Sequence, residues 1–577
     1  MEDWRKYSRA GLLFGLLAIA AFLIYLPSEL GMSLAIPPDS NEYAIGLSNL
    51  FTHGKFGFTL NGEWYPSRYA PWFSLFCLSP AYFLCGGDVL SLHWAVLAFA
   101  LAFLVLSYRF CRIIGLGRWS YVCAALPMFI PDFVFYSRMV MTEIPYAALL
   151  ATSALVFVRF ADDEKPSLRF CVGAGVLVAW TGAVRFTALP MLALFAVAQL
   201  LKRCSLKRKV VAVWVLSMPV FLYLVANSIY NKCVFGSFFR NGYNYWVSVP
   251  CDYLDLTFNL KYAVNNSLTY LKEPVTLVLL ILSIIVFIVS IEMIMGRFGG
   301  VRKNRSFLLL SGYVLFQELI LIFVYIGYYW CDVRFFLPSL LCLLPLFVKA
   351  LAAVFGMFRI PISIVATVIV VLCVGLFRFT VPRYYFMATG YPFFIAEAGI
   401  TREVLPDGAV VVQDCNPLFV DSMGRSGKTI RHVPMFRRFD YVNTMVASTS
   451  IAKAVPRPTY WRQRIVPEFI ASGLCRLPFP AVFSQDPDLI KLYIREGNRV
   501  FLHEDVSPGY RRYWRLDDVR GMLDGIGLSL NEFGAWLIPE ISANPIRHVY
   551  DRFLFPSFSM DKRPELRCVY YEIVTKE

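Results

Sequence analysis

Long apolar runs closed by short polar turns recur through the first two thirds of the chain, over 11–27, 89–107, 119–131, 145–158, 168–201, 210–230, 274–295, 306–328, 335–355 and 360–376. A helix needs about 20 residues to cross a bilayer, and the 168–201 run is long enough for two short spans turning near Arg185, so the pattern predicts about eleven transmembrane helices. The first run lacks a small-residue cleavage site and continues into IYLPSELGMSL, which predicts a retained helix rather than a removed signal peptide. Between the first two runs, AIGLSNLFTHG and APWFSLFCLSPAYFL predict helices lying at the membrane surface.

After about residue 381 the pattern changes. GAVVVQ, following the turn LPDG, has the form of a short buried strand; DPDLIKLYIREG predicts a helix ending at Gly497, and NRVFLHED a second strand. The expected fold is therefore a polytopic α-helical membrane protein: a transmembrane region over 1–380, with a first outer loop over 28–88, followed by a C-terminal extracytoplasmic α/β domain over 381–577.

Composition agrees with this division. Of 577 residues, 58% are hydrophobic and 16% charged, and the mean hydropathy of +0.57 is far from that of a soluble domain. Lys and Arg gather in alternate loops, with Arg5, Lys6 and Arg9 before the first run and Lys202, Arg203, Lys207, Arg208 and Lys209 between later ones. That asymmetry places the N-terminus in the cytoplasm, and an odd number of spans places the C-terminal domain outside. The net charge of +15 follows largely from these loops, so no nucleic-acid partner is expected. The 14 cysteines form no CxxC pair, and the five histidines show no ligand spacing. GRSGKT at 424–429 has Ser422 where a phosphate-binding loop requires its first glycine, and is read as a turn entering the strand TIRHVP.

The candidate chemistry lies in the outer loops. PPDSNEYAIG sets Asp39 and Glu42 directly after the first span, and the same face collects Arg68, Arg138, Glu143, Arg185, Asp332 and Arg334. Arg138, Glu143, Asp332 and Arg334 stand in turns too short to leave the membrane boundary, where a charged group is expected to face a partner or a cavity. Carboxylates beside guanidiniums suit activation of a hydroxyl together with neutralisation of a departing phosphate.

PPDSNEYAIGLSNLFTHGKF followed by NGEWYPSRYAPWFSL resembles the first outer loop of the C superfamily of membrane glycosyltransferases (GT-C), in the branch of the protein O-mannosyltransferases and aminoarabinose transferases. Asp39 and Tyr43 match its D-x-x-x-Y-x-x-x-A pattern, with Gly46 and Leu47 where a small residue is usual. Arg68, Tyr69 and Pro71 match a later basic and proline-containing segment, with Ala70 in place of its first proline. SRMVMTEIPYAALL is similar to the second outer turn, with Glu143 before Pro145, and CDVRFFLPSLLCLLPL to a late R-Y-x-L-P-x-x-P segment through Arg334 and Pro338.

The resemblance covers about the first 380 residues. It implies transfer of a sugar, with inversion, from a polyprenyl-phosphate donor to a hydroxyl of a glycan, lipid or protein acceptor on the outer face, here of a bacterial inner membrane. It implies catalytic roles for Asp39 and Glu143 and donor-phosphate contacts for Arg68, Arg138 and Arg334. Glu42, Tyr43, Tyr69, Arg185 and Asp332 are expected in support, and a divalent cation on Glu143 remains open. The competing expectation is a transporter or lipid flippase, for which Gln317 and Glu318 form the clearest polar pair deep in a span.

Overall fold

The computed structural model of the protein describes residues 39–60, 63–117, 119–137, 139–242, 271, 274–295, 301–323, 333–357, 399–413, 428–434, 488–506, 516–537 and 567–576. The runs at 11–27 and 360–376, residues 424–427 of GRSGKT, Arg138 and Asp332 lie outside them.

In chain order the principal elements are α1 (Asp39–His53), β1 (Gly57–Leu60), β2 (Glu63–Pro66), α2 (Ser79–Leu84), α3 (His93–Ile113), α4 (Trp119–Ala125), α5 (Pro131–Tyr136), α6 (Glu143–Asp162), α7 (Leu168–Val184), α8 (Pro190–Leu200), α9 (Leu206–Phe235), α10 (Pro274–Ile294), α11 (Val301–Phe323) and α12 (Leu337–Met357). They are followed by β3 (Val410–Gln413), β4 (Arg431–Pro434), α13 (Asp488–Arg495), β5 (Val500–Val506), α14 (Leu516–Gly525), β6 (Leu528–Leu537) and β7 (Arg567–Thr575). The chain divides into two compact units, one of Met1–Pro27, Trp72–Phe239 and Leu254–Thr380, the other of Ser28–Pro71, Arg240–Tyr253 and Val381–Glu577.

The first unit is helical. Among the described residues, 6 helices are long and apolar enough to cross a membrane: α3, α6, α9 and the greater part of α10, α11 and α12. Helix α6 is buried around its whole circumference and packs against α3, α7, α8, α11 and α12, as expected of a helix apolar on every face. Helix α9 instead exposes Trp214, Phe221, Leu222 and Ile229, the behaviour of a lipid-facing span. The 168–201 run divides at Arg185, whose extended backbone (φ −148°, ψ 125°) closes α7 before a 3-10 turn over Phe186–Ala188 and α8. The 119–131 run differs from the expected span. It forms α4, a 3-10 turn over Leu126–Phe129 and α5, because Pro127 and Pro131 each remove a backbone donor.

In the second unit, β1 and β2 form an antiparallel hairpin that the sequence reading did not foresee, paired from Gly57 with Pro66 to Leu60 with Glu63. The C-terminal residues form a mixed five-stranded sheet in the order β4-β3-β5-β7-β6, parallel across β4-β3-β5 and antiparallel across β5-β7-β6. One apolar cluster joins Val410, Val412, Val500 and Leu502 to Ile490 of α13 and to Val519 and Leu523 of α14. A second gathers Val411, Phe501, Cys568 and Tyr570 with Leu405 and Ile430. Arg499 grips Glu572 with two hydrogen bonds of 2.7 and 2.9 Å and holds that carboxyl below its ordinary range.

Helices α7 and α9 approach closely at Gly175, where an added Cβ would strike the carbonyl oxygen of Leu216 and lie 3.1 Å from Cδ of Pro219. Small residues permit such contact between membrane helices. Gly175→Val should cost about 1–3 kcal/mol by overpacking and lower the melting temperature of the solubilised protein. Gly173→Val, at a position with nothing within 4 Å, should leave it within error. Equal melting temperatures for the two variants would show that the close approach is absent.

Candidate functional site

Among the described residues, each unit gathers sequence-predicted charged residues into a cluster. In the second unit, Asp39 opens α1 and Glu42 stands three residues on, so both carboxylates share one helix face in the first turn, where the helix dipole favours negative charge. Both are buried. Beyond β2 the chain turns through Ser67 and Arg68 towards them. Glu42 Oε2 accepts from Ser67 Oγ at 3.0 Å and from the Arg68 backbone N–H at 2.8 Å. Its Oε1 accepts from Arg68 Nε at 2.6 Å and lies 2.6 Å from Arg68 Nη2, which also donates to Asp39 Oδ1 at 3.0 Å.

The surrounding residues keep this turn in place. Ser67 Oγ accepts from the Tyr69 backbone N–H at 3.1 Å. The Tyr43 and Tyr69 rings stack with centroids 4.4 Å apart, and the Arg68 guanidinium lies 5.4 Å from the Tyr69 ring centroid. The absent side chain at Gly46 has a local reason, since a Cβ there would lie 2.7 Å from the Phe56 ring. At Gly242, a Cβ would lie 2.5 Å from the Ser67 carbonyl oxygen and 2.5 Å from Cα of Arg68. The chain at 242 is thus seated on the backbone that carries Arg68. The sequence reading named neither Ser67 nor Gly242 as part of the site. Asp39 and Glu42 thus converge on the guanidinium of Arg68.

The cluster in the first unit is built around Glu143. Glu143 begins α6 and is 0% exposed. Its Oε1 accepts from Arg185 Nη2 at 2.6 Å, and Arg334 Nε, from the 3-10 turn over Val333–Phe336, lies 3.9 Å from the same oxygen. Arg185 Nε donates to Thr142 Oγ1 at 2.9 Å. Both guanidiniums lie over Phe335, Arg185 at 5.5 Å and Arg334 at 5.1 Å from the ring centroid, a cation–π arrangement that the sequence reading missed. Glu143 Oε2 has no hydrogen-bond partner among the described residues.

Behind Arg185 a second layer of hydrogen bonds fixes the helices. Tyr146 OH accepts from Gln317 Nε2 at 2.7 Å and from Thr187 Oγ1 at 3.2 Å, and Gln317 Nε2 also donates to the Thr187 carbonyl at 3.2 Å. Gln317 thus ties α11 to the first turn of α6 and to the break after Arg185. Two guanidiniums beside one carboxylate suit a phosphate-bearing anion, which arginine holds through paired N–H donors. A divalent cation does not fit beside Glu143, which already faces two positive charges. Among the described residues no three His, Cys, Asp or Glu side chains group as metal ligands.

No protein-family model and no curated protein matches the sequence. Among solved structures the chain is similar to ArnT from Cupriavidus metallidurans in the apo state, 13% identical over 98% of both chains with a TM-score of 0.48. It is also similar to the Archaeoglobus fulgidus oligosaccharyltransferase tethered with an acceptor peptide, 11% identical over 88% of this chain and 70% of that one, TM-score 0.45. A third similar structure is the arabinofuranosyltransferase AftD from Mycobacteria, 14% identical over 97% of this chain and 39% of that one, TM-score 0.45. All three are GT-C glycosyltransferases. At these TM-scores the likeness assigns neither a family nor an activity to this chain.

The grip of Glu42 on Arg68 is open to a double-mutant cycle. Arg68→Ala should destabilise the protein by about 3 kcal/mol, because it strands the buried carboxylates of Glu42 and Asp39, and Glu42→Ala by less, because the partly exposed Arg68 keeps its contact with Asp39. The double variant should fall short of the sum by about 1–3 kcal/mol. Additive losses in chemical unfolding would mean that the two side chains do not hold each other.

Proposed function

We propose that the protein is an integral membrane glycosyltransferase that moves a sugar from a polyprenyl-phosphate donor to a hydroxyl acceptor at the outer face of the membrane, with inversion at the anomeric carbon. One observation carries the reading: Arg185 and Arg334 gather around the buried Glu143 at the ends of apolar helices. An anion anchored there must tolerate a hydrocarbon surround, as a phosphate on a long apolar chain does. The motif resemblance of the first loop and of the segments around Glu143 and Arg334 supports the same class.

In this reading Asp39 accepts the proton of the attacking hydroxyl. The acceptor oxygen forms the new bond to the anomeric carbon as the bond from that carbon to the phosphate oxygen breaks, and polyprenyl phosphate leaves with the electron pair. Guanidiniums stabilise the charge developing on the leaving phosphate. We assign that task to Arg334 and Arg138, with Arg185 in support and Asp332 as a partner of Arg334. Arg68 already faces two carboxylates, and we assign it to holding Asp39 in place. Glu143 supports catalysis by fixing the two guanidiniums.

Asp39→Asn should lower turnover of a polyprenyl-phosphate sugar about 10²–10⁴-fold, the usual cost of a lost general base, while the melting temperature stays unchanged. Arg334→Ala should weaken donor use, and Arg334→Lys should recover only part of it, because a point charge replaces a planar fork. The assay is release of polyprenyl phosphate by the purified protein from a panel of polyprenyl-phosphate sugars. Use of soluble nucleotide sugars, or movement of lipid across vesicles with no bond made or broken, would overturn the reading.

A further inference from the structure

The polar ends of α6 to α9 carry a second charged surface that the transfer chemistry does not use. The turn over 163–167 joins α6 to α7, and the turn over 201–205 joins α8 to α9. Hydrogen bonds bring the two turns together. Lys202 Nζ donates to the Phe160 carbonyl at 2.6 Å, the Arg203 backbone N–H to Glu164 Oε2 at 3.4 Å, and Arg208 Nη2 to the Lys165 carbonyl at 3.2 Å.

Around them Arg159, Lys165, Arg169, Arg203, Lys207 and Arg208 are exposed. None of the six is in an ion pair among the described residues. The acidic residues beside them are Asp162, at the end of α6, and Asp163 and Glu164 on the first turn. Asp163 Oδ1 accepts from the Lys165 backbone N–H at 2.9 Å and Glu164 takes that of Arg203, so these two shape the turns. Positive charge is left in excess. Beside it Leu168, Leu200 and Leu201 are each about half exposed and Leu206 is 73% exposed, although each begins, ends or borders an apolar helix.

We propose that this surface binds anionic phospholipids, their phosphates on the six cations and their acyl chains along the four leucines. A soluble anion would use the cations and leave the leucines in water, whereas a phospholipid satisfies both at one depth. Lys and Arg beside a span also attract anionic lipid through the surface potential, and each contributes about a fivefold preference. The inference does not depend on the transferase reading.

The test uses the full-length purified protein, offered equimolar phosphatidylglycerol and phosphatidylcholine with the same acyl chains, with retained lipid counted by native mass spectrometry. The wild type should retain phosphatidylglycerol in preference. Lys165→Gln and Lys207→Gln, singly, should each lower that preference about fivefold, and Lys165→Arg and Lys207→Arg should keep it. Lys491→Gln with Arg495→Gln, on the C-terminal helix α13, should change nothing. Equal retention of the two lipids by the wild type, or an unchanged preference in both glutamine variants, would overturn the proposal. So would displacement of the bound lipid by millimolar inorganic phosphate, which would mark an unspecific anion surface.

Discussion

Glu143 holds a carboxylate where no water reaches it, and the Arg185 guanidinium 2.6 Å away makes that position tenable. Removing an ion from water costs several kcal/mol even after relaxation, so an unpaired charge at this depth would not persist. Much of the helical unit is arranged to keep the pair together. The 168–201 run breaks at Arg185, which frees the side chain to reach the first turn of α6. Thr142 takes a second N–H of the same guanidinium, Phe335 lies beneath it, and Gln317 fixes Tyr146 and Thr187 behind it. A run of ordinary helix through 185 would carry the arginine into the bundle without these partners.

The cluster at Asp39, Glu42 and Arg68 obeys the same constraint with the signs exchanged. Glu42 places all of its acceptor capacity on one turn, taking two backbone or hydroxyl donors through one oxygen and the guanidinium through the other. Asp39 also meets Arg68, through Oδ1 at 3.0 Å, longer than the 2.6 Å contacts of Glu42 with the same guanidinium. Glu42 is therefore the anchor of the turn that carries Arg68.

Local features were legible in the sequence wherever the signal is local. The helix over Asp39–His53, the break at Arg185, the strands at 410–413, 431–434 and 500–506, and the helix before Gly497 follow from periodicity, glycine and proline alone. The β1–β2 hairpin carried a signal that was passed over, Asn61-Gly62 between two aromatic segments, a pair that favours a two-residue turn. Strands β6 and β7 were harder, because β6 mixes exposed and half-buried residues without strict alternation. The charged residues were found one by one, but their pairings were not. Arg185 meets Glu143 across 42 positions and Gln317 meets Tyr146 across 171, distances over which no spacing rule speaks. Gly242 is similar: its lack of a side chain has meaning only because Ser67 and Arg68 lie against it.

In the proposed function the guanidiniums of Arg185 and Arg334, gathered at Glu143, receive a lipid-borne phosphate. The most direct measurement is an experimental structure of the protein with polyprenyl phosphate bound. The account predicts the phosphate within hydrogen-bonding distance of the Arg334 guanidinium and beside that of Arg185, with the isoprenoid chain leading away along apolar helix surface. A phosphate bound elsewhere, with Arg185 and Arg334 still closed on Glu143 alone, would contradict it.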